Sequence, residues 1–185
     1  MTLRADSARV RARMLAAARA RLEAGDLELP MNAVAKDAGV GVGTMYRHFA
    51  GRQALLEALA EESFRDLVGE ARAAAVEPDI GAGLSRLIRA TLRRQLTDPA
   101  LAGVLASGEV EYAELGGLLS ALMGAAREVL ARARAEGVVR ADVTPDDLRR
   151  LTCGIRYAVV SGGDAGEAAL DRYLEILMRG IRPVG

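Results

Sequence analysis

Apolar residues recur every three or four positions along nearly the whole chain, the period of an α-helix that buries one face. Val10, Met14, Ala17, Ala18 and Leu22 form the first stripe, which predicts a helix from about Ser7, a good N-cap, to Ala24, with Gly25 as its stop. Pro30 suits the start of a second helix near Met31–Ala38, where Val34, Ala35 and Ala38 share a face. A short third helix is predicted over about Val42–Phe49, with Met45 and Phe49 aligned at i, i+4. Between the two, Gly39 can take the positive φ that ends the second helix, and Val40 supplies an apolar plug. A long fourth helix follows, near Arg52–Ala75, with Leu55, Leu56, Leu59, Phe64, Leu67 and Val68 on its apolar side. Glu77-Pro78-Asp79 ends it.

The helical period continues beyond Pro78. One segment is expected at about Gly81–Leu96, and a short one at Pro99–Ala106 with Asp98 as its cap. Another runs from Glu111 or Leu115 to Glu136 and stops at Gly137. Thr144 as cap, Pro145 at the first helical position, and Asp146 and Asp147 in the first turn mark the next start. Two helices, Pro145–Val160 and Glu167–Ile181, then flank a break at Ser161-Gly162-Gly163. The expected fold class is all-α, with about nine helices.

The second and third helices carry the most specific chemistry. Thr44, Tyr46, Arg47 and His48 lie between the buried positions of the third helix, and all have polar tips able to donate hydrogen bonds. A short half-buried helix with such a face, joined to another by a glycine turn, is a helix-turn-helix suited to duplex DNA. Val34–Leu56 resembles the DNA-binding signature of the tetracycline-repressor family of bacterial regulators. The matching residues are Ala38-Gly39-Val40, Tyr46-Arg47-His48-Phe49, the basic Arg52, and Leu55-Leu56.

That resemblance implies a three-helix DNA-binding domain over residues 1–52 and a helical ligand-binding and dimerisation domain over 53–185. Tyr46 and His48 are expected to reach phosphates, His48 having a structural role as its alternative. Gly43 would allow close approach to DNA, and Thr44 would meet a base methyl or a phosphate. Arg47 is the candidate for reading guanine, with a phosphate contact as the alternative. Arg52 keeps the positive charge where the family usually has lysine, and Arg4 and Arg9 could enter an adjacent minor groove. Val42 stands where the family often has a basic residue, leaving only a thymine methyl to contact. Gly41 and Pro30 replace the usual hydroxyl caps of the third and second helices. The last two helices are expected to pair with their copies in a homodimer, through Leu148, Leu151, Ile155, Val159, Leu170, Leu174, Leu177 and Met178, half of which can equally be intrachain core.

Overall charge is zero, which is unexpected for a DNA binder until the chain is divided. Nine basic residues against five acidic ones precede Gln53, a net +4, so the neutral total leaves −4 for the remainder. Positive potential therefore gathers where DNA would lie. No run of eighteen apolar residues exists, and arginines occupy the place of a signal peptide, so a cytoplasmic protein with no membrane partner is expected. The lone cysteine, Cys153, fits a reducing compartment and reads as packing filler. One histidine and one cysteine argue against a metal site or a Cys–His dyad, and no phosphate-binding loop follows a strand, so neither an enzyme nor a cofactor is expected.

The expected effector is a small molecule of unknown identity. Leu87, Leu101, Leu105, Tyr112, Leu119, Met123 and Tyr157 lie on helices that line the pocket in similar proteins, and plain core is the competing reading for each. Arg156, charged within an apolar helix, either holds an acidic ligand group or pairs with a glutamate across the dimer. The family implies repression relieved by ligand. Its rival is a helix-turn-helix protein that organises DNA or docks a protein and senses nothing.

Overall fold

The computed structural model describes residues 3–108, 110–162 and 166–183, without the side chains of residues 3, 4 and 114. These residues form nine helices and no strand. They are α1 (Leu3–Glu23), α2 (Met31–Asp37), α3 (Val42–His48), α4 (Arg52–Ala75), α5 (Ile80–Thr97), α6 (Pro99–Ser107), α7 (Ala113–Ala135), α8 (Pro145–Ser161) and α9 (Glu167–Gly180). The side chain of Arg4 and the residue Gly163 lie outside the described residues.

Most helix ends follow from local chemistry. Gly39 and Gly137 adopt φ of +64° and +68°, left-handed values that a Cβ penalises, and each closes a helix. The Asp98 carboxylate accepts from the Ala100 and Leu101 amides, and Asp79 accepts from the Ala82 amide. Thr144 and Asp147 form a reciprocal capping box at the start of α8. The first helix departs from expectation: it begins by Leu3, so Ser7 lies inside it. The arginines and alanines around Ser7 are strong helix formers, and they carry the helix past a residue that elsewhere would cap it.

One continuous apolar core runs from Met14 and Val34 to Leu177 and Ile181. Helix α4 is its spine, packed against α1 at one end and against α5, α6 and α7 along its length. Phe64 and Leu67, midway along α4, are fully buried, each worth ~1.5–3 kcal/mol of transfer free energy. Where α5 crosses the end of α4 the backbones nearly touch: a Cβ on Gly83 would sit 2.8 Å from the Ala74 carbonyl oxygen. The start of α4 is separated from α3 only by Phe49, Ala50 and Gly51, so a tilt of α4 must move α3.

Candidate nucleic-acid interface and effector cavity

Met45 and Phe49 anchor α3 in the core, at 0% and 1% exposure, and the turn of chain between them faces solvent. Val42 and Tyr46 are exposed at 42% and 49%, one helical turn apart on the solvent face of α3. Gly43 and Arg47 are exposed beside them, while Thr44 and His48 are half-buried. Nothing lies within 4 Å of where a Gly43 Cβ would project, so no intrachain contact requires glycine there. Arg47 folds along its own helix, donating to Thr44 Oγ1 at 2.9 Å and to the Gly43 carbonyl at 3.3 Å. These partners are uncharged, so the guanidinium keeps its full charge at the surface. The caps that Gly41 and Pro30 were expected to lack are indeed missing, since neither helix start has a side-chain cap bond.

Acidic groups near this face are neutralised locally. Arg21 bridges Asp26 at 2.6 Å and Asp37 at 2.7 Å, removing two carboxylates from the field above α2 and α3. Arg9 lies 3.8 Å from Asp6. Arg52 is engaged in a way its position in the motif did not suggest. Its guanidinium donates to the carbonyls of Leu27 and Glu28, at 2.6 and 2.8 Å, and staples the loop before α2. That loop needs a staple because the buried Leu29 is held at φ +46°, a left-handed conformation costly for a branched side chain.

In the C-terminal helices a small apolar cavity of about 60 Å³ opens between α4, α5, α6, α7 and α8. Leu67, Ile88, Leu105, Leu122, Met123 and Leu148 supply most of its wall. Thr91, Arg149 and Thr152 are its polar members. Arg149 is tethered at the rim by the Leu105 carbonyl at 2.5 Å and by Asp146 at 2.8 Å. A larger open groove of about 770 Å³ between α5 and α9 is a different kind of site, of mixed lining and bridged by the Arg89–Asp171 ion pair.

Of the residues proposed from sequence to meet a ligand, the structure brings Leu105, Met123 and Leu87 to the cavity. The others fall elsewhere. Leu101 is fully buried core and Leu119 is half-buried outside the wall. Tyr112 stands at the start of α7, its hydroxyl accepting from Arg11 at 2.9 Å. Tyr157 is 71% exposed on α8, on the face it shares with Arg150, Gly154 and Ser161. Arg156 donates its Nε–H to the Gln95 carbonyl at 2.8 Å, an intrachain bond that uses one of its five donors. Arg149 and Thr152 went unread, since Arg149 with Asp146 looks like any surface i, i+3 pair. Gln95 is 1% exposed, and among the described residues neither polar atom of its side chain has a hydrogen-bond partner.

The apolar surface of α8 and α9 also differs from the expected set. Leu148, Val159, Leu170, Leu174 and Leu177 are buried within the chain, whereas Leu151, Tyr157, Val160 and Ile176 are exposed at 44–71%. Cys153 is half-buried, and burial pushes its thiol up from the usual 9.0, the behaviour of a packing residue.

This arrangement of a solvent-facing α3 on an α2–turn–α3 support, under an all-helical second unit, defines a helix-turn-helix DNA-binding regulator. Residues 14–59 match the family of bacterial regulatory proteins of the tetR type, and residues 79–183 match the SbtR-like transcriptional regulator C-terminal domain. The chain belongs to the tetracycline-repressor family of transcriptional regulators. Among solved structures, a TetR transcription regulatory protein from Mycobacterium vanbaalenii is 33% identical over 98% of this chain and 100% of its own, with a TM-score of 0.47. TetR transcriptional regulator SCO0520 from Streptomyces coelicolor is 26% identical over 95% of this chain and 99% of its own, with a TM-score of 0.56. The regulator FadR from Bacillus subtilis, solved with stearoyl-CoA, shares the fold at 17% identity and a TM-score of 0.65, over 92% of this chain and 98% of its own. No curated protein matches in sequence. Among the described residues no helix is long and apolar enough to cross a membrane.

Proposed function

We propose that the protein is a dimeric repressor that binds a palindromic operator and is released when a small molecule enters the cavity under α4. One observation carries this reading. The apolar cavity is walled by Leu67 of α4, and the same helix runs into the recognition helix α3 through a three-residue turn. Whatever widens the cavity pushes the spine that sets the pose of α3.

In the bound state Tyr46 and His48 engage phosphates on either side of the major groove, and Val42 and Thr44 meet base methyls. Arg47 swings from its own helix to a guanine edge or a phosphate, exchanging two uncharged partners for a charged or bidentate one. Arg52 acts at a distance, holding the loop that seats α2. Two copies placed about one helical turn apart, ~34–36 Å, read the two halves of the operator. The exposed Leu151, Tyr157, Val160 and Ile176 supply the apolar surface for pairing. At about 60 Å³ the cavity holds only a few heavy atoms, against ~150 Å³ for a cavity that binds benzene, so an effector enters by separating helices. A differential affinity of ~1–3 kcal/mol between the two poses suffices for a ~5–150-fold change in DNA binding.

The small size of the cavity also favours a second reading, a regulator that senses nothing. One experiment separates the two. A duplex selected in vitro by the purified protein is titrated by fluorescence anisotropy with the parent and with Leu105→Trp, which fills the cavity in place of an effector. Release from DNA with the fold intact supports the sensor. Unchanged affinity supports the sensor-free regulator.

A further inference from the structure

Three groups from distant parts of the chain meet where the two functional units touch. The Arg11 guanidinium of α1 lies 5.4 Å from the centroid of the Phe49 ring and 5.8 Å from that of Tyr112. It also donates to the Tyr112 hydroxyl at 2.9 Å. Phe49 is the C-cap residue of the recognition helix and is 1% exposed. Tyr112 is the N-cap residue of α7, and its carbonyl accepts the first amides of that helix, from Leu115 and Gly116. Arg11 therefore ties the end of the recognition helix to the beginning of α7.

The α7 side of this contact is anchored in turn. The carboxylate of Glu57, on α4 and 0% exposed, accepts the Tyr112 amide at 2.6 Å and the Glu111 amide at 3.0 Å. Tyr112 is thus held by its backbone to α4 and by its side chain to α1. Eleven residues along α7, ~16 Å at the helical rise, Met123 lines the cavity. A rigid helix displaced at Met123 moves its own first turn, and that turn grips the guanidinium packed on Phe49.

We propose that Arg11, held between Phe49 and Tyr112, is a clasp through which movement of α7 reaches the recognition helix, a mechanical link separate from the α4 backbone. The clasp is cation–π on two rings and a hydrogen bond on one, so a small rotation of α7 breaks the directional bond while the ring contacts persist. This gives two states of the clasp, one in which α7 is bonded to the guanidinium on Phe49 and one in which it is not. The inference rests on the cavity being the effector site, and its test separates the two claims.

The test uses the full-length protein and two measurements. In the first, amide hydrogen exchange is followed in the peptide spanning residues 42–49 for the parent, Tyr112→Phe and Arg11→Lys. Tyr112→Phe removes one oxygen and keeps the ring, so the fold should survive. Arg11→Lys keeps the charge and loses the fork, and it serves as the second variant. Faster exchange by several-fold in the recognition helix, from a substitution in the other unit, is the expected result. Faster exchange confined to the start of α7 would overturn the clasp.

In the second measurement, affinity for an in-vitro-selected duplex is compared for Met123→Trp, alone and combined with Tyr112→Phe. Filling the cavity should change affinity at least ~5-fold with the hydroxyl present and at least ~2-fold less without it, the remainder being carried by α4. An equal effect in both backgrounds overturns the clasp. No effect in either background sinks the effector-site reading instead, and the exchange measurement then decides the clasp alone.

Discussion

Replacing Glu57 by alanine isolates the buried carboxylate that joins the two ends of the inter-unit contact. In the structure this group accepts the Glu111 and Tyr112 amides at 2.6–3.0 Å and the Gln53 side-chain amide at 2.9 Å. Two of these donors are the backbone N–H groups of the two residues just before α7, a helix with no side-chain cap bond of its own. An unsatisfied buried N–H costs ~1–3 kcal/mol, and bonds to a charged acceptor lie at the upper end. Glu111 is exposed, so its amide can turn to water, whereas Tyr112 is half-buried and its amide is less well placed to do so. The expected loss is therefore ~2–3 kcal/mol, below the simple sum of the bonds removed. For a chain of this length that lowers Tm by ~4–12 °C. Urea denaturation followed by circular dichroism, at one fixed protein concentration because a dimer's stability depends on it, gives the number. Glu61→Ala, which removes a surface pair with Arg65, is the control and should cost under ~0.5 kcal/mol. A Glu57→Ala loss no greater than the control would refute the claim that this carboxylate anchors the start of α7.

Other expectations follow from single contacts. Gly83→Ala places a Cβ 2.8 Å from the Ala74 carbonyl and 3.0 Å from Glu77 Cβ, so it should destabilise by ~1–3 kcal/mol, seen as a lower urea midpoint. Bonds from the Thr144 hydroxyl and amide hold the Asp147 carboxyl below its ordinary 3.8. A depressed folded value means that stability is complete above about pH 3.8 and is lost as pH falls through the lower one. Asp147→Asn should accordingly lower Tm at neutral pH, by an amount that shrinks when the scan is repeated below pH 3.8. Cys153, with its thiol pushed up by burial, should react with a thiol reagent far more slowly in the native protein than in urea, measured by absorbance.

Elements with a local signal were legible in the sequence. Gly39, Asp98, Gly137 and the Thr144-Pro145 start each fix a helix end through their own backbone or side chain, and every one stands where the pattern placed it. The alternation of Met45 and Phe49 with Tyr46, Arg47 and His48 likewise made the outward face of α3 readable. What could not be read depends on partners far along the chain. Arg52 reaches carbonyls 24 and 25 residues away, Arg156 one that is 61 away, and Arg11 a hydroxyl that is 101 away. Glu57 looked like any polar residue of a long helix, and only the fold brings Glu111 and Tyr112 onto it. Tyr157 shows the converse: an aromatic in an apolar helix reads as pocket lining until the helix's orientation turns it to solvent. Ser7 failed for a local reason, because helix propensity on both sides outweighed its capping tendency.

In the proposed function two copies of α3 read duplex DNA together. Selection from a pool of random duplexes by the purified protein at physiological salt, repeated with Tyr46→Phe and Arg47→Ala, tests it most directly. The expected result is an enriched inverted repeat with half-sites about one helical turn apart. Tyr46→Phe should bind that repeat more weakly, and Arg47→Ala should relax the preference at one position of each half-site. Enrichment of a single unrepeated site, or of no sequence at all, would contradict the proposed function.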